Sequence, residues 1–212
     1  MEIVVFLFKW AHLLFGITWI GLLFYFNFVQ TEYFKEASPE GLSDAKAKLA
    51  PRALAWFRWS ALFTFATGAF LLVGLFHTSL VNEFILLGSL MGTLMMLNVW
   101  HIIWPKQKIV LGLADGDAAA AAPKAALASR SNALFSGPMA FCMLASPHLG
   151  YSADYLVAAS GLGLGFWIAC ALIIAVELNA IFGKMGPIAS IRGVIHMSLA
   201  FAAAIFCLLL FL

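Results

Sequence analysis

The chain has 212 residues, of which 64% are hydrophobic and 10% are charged, and its formal net charge is +2. A soluble globular domain carries about 25% charged residues, so the composition excludes an ordinary soluble domain. It indicates an all-α, polytopic integral membrane protein whose surroundings are the lipid bilayer. The small net charge also argues against a nucleic-acid partner.

Six apolar segments follow one another along the chain, each near the ~20 residues that a helix needs to cross the hydrocarbon core. We predict a single membrane domain over residues 1–212, built as a bundle of about six transmembrane helices. Two polar connections, 31–53 and 105–131, interrupt the pattern. The predicted spans are about 3–30, 54–77, 82–104, 132–149, 153–183 and 188–211.

Lysine and arginine residues are concentrated in the connections that follow the first, third and fifth spans. The connections after the second and fourth spans contain none. Because cytoplasmic loops carry the excess of these residues, the connections 31–53 and 105–131 are predicted to be cytoplasmic. Both ends of the chain are then expected to face outward.

The first span contains a histidine, and ionisable side chains inside a span are costly and usually functional. Gly16 and Trp19 follow His12 at i+4 and i+7, so the three residues share one face of the helix. A glycine one turn from a histidine leaves room for the edge of a porphyrin, which a tryptophan can flank. This face is therefore predicted to bind a cofactor.

The five histidines lie on five different spans, and the predicted topology sorts them into two levels. Neutral imidazole is a common axial ligand of haem iron, and two histidines on facing helices can hold one haem. We predict one haem b, or two. His12 pairs with His148, or else with His77, at the outer level, and His101 pairs with His196 at the inner level. The alternative is that these histidines are interfacial or hydrogen-bond across helices.

Further polar side chains lie at the inner end of the predicted bundle. Asn98 precedes His101 by three residues, and we expect it to hydrogen-bond a haem propionate or an axial ligand. Glu177 is predicted to lie ~9 Å inside the inner boundary. Its carboxyl group either pairs with Arg58 or Arg192, or acts as a protonatable relay. Glu177 and Arg58 are therefore included among the cofactor-site candidates.

Three stretches together resemble one known family. They are KWAHLLFGITWIGLLFYFNFVQ at 9–30, MLNVWHIIWPKQKIV at 96–110 and ASRSNALFSGPMAFCMLASPH at 128–148. Over roughly residues 5–150 the chain resembles the N-terminal membrane domain of the bacterial membrane-bound urate oxidase (urate hydroxylase) family. That domain is a haem-associated helical module, often fused to a C-terminal cytochrome c. The first stretch is more distantly similar to membrane-bound protoporphyrinogen oxidases and copper-resistance membrane proteins.

The resemblance implies site residues at the positions that match the family's motifs, and a location in the bacterial inner membrane. On this basis Trp104 becomes a further candidate for cofactor binding. No CxxCH haem-attachment motif occurs in the sequence, so the chain is expected to be the membrane domain standing alone. The matching positions are His12, Asn98, Trp100, Trp104, Pro105, Asn132, Pro138 and His148.

The residues and the resemblance together predict a haem b-binding membrane oxidoreductase or electron-transfer protein. It is expected to pass electrons to a separate cytochrome c or to a quinone, and whether the chain itself oxidises urate stays open. The alternative is a non-catalytic membrane subunit or assembly factor of a respiratory complex. The expected assembly partner is a larger respiratory complex or further copies of the chain in a homo-oligomer. A small transporter is a third possibility, but no inverted repeat supports it.

Overall fold

The computed structural model describes residues 2–150, 152 and 154–212, which are almost entirely helical. Across these residues the β-structure is limited to a single bridge between Asn82 and Leu156. The all-helical prediction is confirmed, and the chain is consistent with a membrane protein. The helical segments long and apolar enough to cross a membrane are Glu2–Glu36, Pro39–His77, Glu83–Val110, Leu164–Phe182 and Ile191–Phe211.

Each of the first three long segments contains one π-helical turn, near the end that is predicted to face the cytoplasm. The first consists of α1 (Glu2–Phe24), a π turn (Tyr25–Gln30) and α2 (Thr31–Glu36). The second consists of α3 (Pro39–Asp44), a π turn (Ala45–Leu49) and α4 (Ala50–His77). The third consists of α5 (Glu83–Asn98), a π turn (Val99–Ile103) and α6 (Trp104–Val110). Such turns occur often at functional sites.

Helix α7 (Ala118–His148) is the longest α-helix of the described residues, with 31 residues, and it begins well before the predicted start at residue 132. Asp117 caps it, because its Oδ1 accepts hydrogen bonds from the backbone N–H groups of Ala119 and Ala120. The alanine-rich stretch that follows has a high helix propensity. Most of the predicted connection 105–131 is therefore helical, and its small side chains allow α7 to pack at the centre of the bundle.

The predicted fifth span is shorter in the structure, since α9 (Leu164–Phe182) follows a loop and the short helix α8 (Val157–Ser160). Gly161 breaks the helix with a φ of +76°, a conformation that glycine adopts readily. Residue 153, the first of the predicted span, lies outside the described residues, as does residue 151 before it. A 3₁₀ turn (Gly186–Ala189) then leads into α10 (Ile191–Phe211), which Ser190 caps.

The helices form two groups that face each other. Helix α1 packs chiefly against α4, whereas α7 packs against α5, α6 and α10. Glycines permit close approach between neighbouring helices at Gly88 on α5 and at Gly165 on α9. A Cβ at Gly88 would lie 3.2 Å from Cβ of Cys142 on α7, and one at Gly165 would lie against the backbone of α10. A side chain at Gly165 would force α9 and α10 apart, whereas one at Gly88 would require its neighbour to shift slightly.

Candidate functional site

A cleft of about 900 Å³ opens between the α1–α4 group and the α5–α7 group. Its walls are mostly apolar, and at its mouth Leu13, Ile17 and Leu144 are exposed. The cleft is therefore open sideways, toward the surface that would contact lipid. Apolar pockets of this size with a few placed polar groups are typical of ligand and cofactor sites.

His12 lines this cleft, and α4 fixes the orientation of its ring. The ring nitrogen Nδ1 lies 2.9 Å from the carbonyl oxygen of Thr64 and 3.1 Å from Oγ1 of Thr67. A carbonyl oxygen can only accept, so Nδ1 carries the proton and donates it. Nε2 therefore keeps a free lone pair. Metal-ligating histidines are oriented in the same way, by a carbonyl or carboxylate on the other ring nitrogen.

The neighbours of His12 explain why its ring fits this position. A Cβ at Gly68 would lie 2.9 Å from ring atom Cε1, so a larger residue there would push the ring out of its present position. Gly16 and Trp19 line the same cleft, as expected from their shared helix face. The Trp19 side chain is only 1% exposed, and its indole N–H has no hydrogen-bond partner among the described residues.

The other four histidines, His77, His101, His148 and His196, are all exposed and do not line the cleft. Nδ1 of His101 lies 3.1 Å from the carbonyl oxygen of Leu97 on its own helical segment. The described ranges contain no cluster of three or more His, Cys, Asp or Glu residues that could hold a metal ion. The structure thus brings no second histidine to His12, and the predicted histidine pairs stay predictions.

Two methionines of α7 line the cleft together with His12, and the sequence reasoning did not select them. Met139 and Met143 are four residues apart and so lie on one face of the helix. That spacing was the available signal. It was not sufficient, because the sequence does not say which face of α7 turns toward α1.

The predicted candidates Asn98 and Glu177 belong to a separate, buried polar network at the junction of α5, α7 and α9. Nδ2 of Asn98 donates to Oδ1 of Asn132 and to Oε2 of Glu177, each over 3.0 Å. Nδ2 of Asn132 donates to the carbonyl oxygen of Met95 over 2.9 Å. Both N–H hydrogens of Asn98 are thereby used inside the protein, which leaves none for a haem propionate in this arrangement.

Glu177 is 7% exposed and forms no ion pair with Arg58 or Arg192. Salt bridges in the described residues join Lys35 to Glu32 and Lys48 to Asp44, on the exposed surface. Of the two predicted roles for Glu177, the pairing with an arginine is therefore absent from the structure, whereas the protonatable relay stays a prediction.

Arg58 and Trp104, two further candidates, contact each other away from the cleft. The guanidinium carbon of Arg58 lies 4.0 Å from the ring centroid of Trp104, 5.4 Å from that of Trp59 and 5.7 Å from that of Trp100. The indole N–H of Trp100 donates to the carbonyl oxygen of Arg58 over 3.2 Å. We call Arg58 and these three tryptophans the arginine cage.

Fold and site together define an all-helical protein, consistent with a membrane protein, with an apolar cleft and a buried polar network. The model of the urate oxidase N-terminal family matches residues 79–203, more than half of the chain. The chain therefore belongs to the urate oxidase N-terminal family. No curated protein and no solved structure matches the chain.

The matched segment differs in extent from the resemblance seen in the sequence. It includes the stretches at 96–110 and 128–148, but it begins at residue 79 rather than near residue 5 and continues to residue 203. The polar network of Asn98, Asn132 and Glu177 lies inside it. The stretch at 9–30 with His12 lies outside it, so the resemblance of that stretch stays a prediction.

Proposed function

We propose that this protein is a haem b-binding membrane oxidoreductase or electron-transfer protein, with His12 as an axial ligand. One observation carries the proposal: His12 lines a cleft of about 900 Å³, and the carbonyl oxygen of Thr64 holds its Nδ1, which leaves Nε2 as the ring nitrogen available to a metal. When bound, haem supplies an iron centre that exchanges one electron between its ferric and ferrous states.

The residues around the cleft suit such a group. Imidazole and thioether form a known axial pair, and Met139 or Met143 is the candidate second ligand because both line the cleft with His12. The apolar walls limit the access of water and so affect the redox potential.

The wider context of the proposal comes from the family and from the charge pattern. Family membership supports a urate oxidase-like relationship. We propose that the chain lies in the bacterial inner membrane with about six spans and both ends outward, and that a separate cytochrome c or a quinone exchanges electrons with it. A second haem between His101 and His196 is not part of the proposal, since both side chains are exposed.

Replacing His12 by alanine is expected to abolish haem binding. Wild-type protein made with ample haem and purified in mild detergent should show a Soret band, and sharp α and β bands after reduction with dithionite. His12→Ala should lack these bands, whereas His196→Ala, which changes an exposed histidine, should retain them. An unchanged ratio of haem to protein in His12→Ala would refute the ligand role.

A colourless wild-type protein would instead favour the non-catalytic membrane subunit. The observation behind this second candidate is the sideways opening of the cleft, whose exposed apolar border at Leu13, Ile17 and Leu144 could pack against a helix of a larger complex. Co-purification of the haem-free chain with one partner in fixed stoichiometry would then support the role of a non-catalytic subunit.

Replacing Gly68 by alanine is expected to lower haem affinity about tenfold or more, the range typical of disturbed outer-shell contacts, with the fold intact. The new Cβ would lie 2.9 Å from Cε1 of His12 and displace its ring from Thr64. Gly74→Ala is the matched control, because Gly74 lies on the same helix outside the cleft and a Cβ there meets nothing within 4 Å. Haem titration of both variants checks this, and equal affinities would contradict it.

A further inference from the structure

Within the part of the chain that the structure describes, the positive charge of the arginine cage has no counterion. The side chain of Arg58 makes no hydrogen bond or salt bridge among the described residues, and its buried Nε atom has no partner. A buried N–H donor without an acceptor lowers the free energy of unfolding, and the penalty is larger when the donor belongs to a charged group such as guanidinium. The three indole rings stabilise the cation through their faces, but they offer no hydrogen-bond acceptor.

A second cation lies against the same tryptophan. Nζ of Lys108 is 5.7 Å from the ring centroid of Trp104, whose other contact is Arg58 at 4.0 Å. Neither Lys108 nor Arg58 takes part in the ion pairs of the described residues. Two like charges beside one ring repel each other, so an anion that contacts both would offset the repulsion and offer the guanidinium an acceptor.

The surroundings of the arginine cage indicate which anion. Trp56 is 70% exposed and Trp59 is 43% exposed, both on α4 close to Arg58. Exposed tryptophans of this kind mark the level of lipid headgroups. The lysine and arginine pattern predicts that this end of the bundle faces the cytoplasm, where the leaflet carries anionic lipids.

We propose that Arg58, Trp104 and Lys108 form a binding site for the phosphate group of an anionic phospholipid. The planar guanidinium can donate two parallel hydrogen bonds to phosphate oxygens, and the lysine adds a point charge. The indole rings hold the guanidinium in place before the lipid binds. The site is independent of the haem proposal, because none of its three residues lines the cleft.

Native mass spectrometry of the detergent-purified full chain tests the site, with phosphatidylglycerol and phosphatidylcholine added separately. Wild-type protein is expected to bind phosphatidylglycerol more tightly than phosphatidylcholine. Arg58→Met should reduce that affinity about tenfold or more, the effect of losing hydrogen bonds from a charged group to the phosphate. Arg52→Met is the matched control, since Arg52 is exposed on the same helix and outside the arginine cage, and it should retain the wild-type affinity.

Two further arms keep the result decisive. If Arg58→Met does not fold, Lys108→Met should still weaken phosphatidylglycerol binding while leaving phosphatidylcholine binding unchanged. Inorganic phosphate alone, at millimolar concentration, should not displace the lipid. Displacement by free phosphate, equal binding of the two lipids to wild-type protein, or unchanged affinity in both variants would each overturn the proposal.

Discussion

Replacing Gly165 by alanine is expected to lower the free energy of unfolding by roughly 3 kcal/mol, the upper end of the cost of overpacking a core. The added Cβ would lie 2.2 Å from the carbonyl oxygen of Leu208 and 2.7 Å from its carbonyl carbon. These are backbone atoms of α10, which cannot rotate out of the way. Helices α9 and α10 would have to separate, and the contacts between them would be lost.

Two other glycines supply controls for the Gly165 variant. A Cβ at Gly137 would lie 2.3 Å from Oγ of Ser198, a side-chain atom that can move. Gly137→Ala should therefore lower the free energy of unfolding by less than Gly165→Ala does. Adding Ser198→Ala to Gly137→Ala should recover part of that loss. A Cβ at Gly74 meets nothing within 4 Å, so Gly74→Ala should be neutral or slightly stabilising. Unfolding in mixed detergent and SDS, followed by circular dichroism, measures all of them. Equal stabilities of Gly165→Ala and Gly74→Ala would contradict the packing argument.

Replacing Asn98 by leucine is expected to destabilise the bundle by about 2 kcal/mol. A single interhelical hydrogen bond in a membrane protein contributes only about 0.6 kcal/mol on average. Asn98, however, donates to two buried acceptors, Oδ1 of Asn132 and Oε2 of Glu177. Its loss leaves both acceptors without their donor, and each unsatisfied buried group adds its own cost of about 1–3 kcal/mol.

A double-mutant cycle separates this network effect from a simple loss of packing. Glu177→Leu removes one of the two stranded acceptors, so Asn98→Leu combined with Glu177→Leu should lose less stability than the sum of the single variants. Thr18→Val is the control for a lost side-chain hydrogen bond, since Thr18 donates to Leu14 on an exposed surface. Strict additivity, measured by the same unfolding assay, would show that the two residues act separately.

The sequence predicted the helical class well, because the scarcity of charged residues leaves few alternatives to apolar helices. It also identified His12, Gly16 and Trp19 as one face, since positions along a single helix follow from its period. It could not show that Asn98 and Glu177 meet, because helix neighbours are not encoded in any one segment. The predicted pairing of Glu177 with an arginine is absent from the structure, again because one segment does not encode which helices lie next to it.

The start of α7 was misplaced for a different physical reason. The stretch from 118 to 131 is rich in alanine and includes Pro123, so its hydropathy is low and it resembles a polar connection. Alanine nevertheless favours helices, and its small side chain suits a crowded position among α5, α6 and α10. Segment hydropathy reports affinity for lipid, and it does not report packing against protein.

The sideways mouth of the cleft has a consequence for how any guest molecule reaches His12. If a ligand enters from the bilayer, its partitioning into hydrocarbon sets its local concentration at the cleft. Apolar, planar molecules are then concentrated there, and ions are depleted. A purine anion such as urate would meet a solvation barrier on this route. Under the proposed function, chemistry on such an anion would therefore take place at the aqueous boundary, and electrons rather than the substrate would reach the haem that His12 would hold.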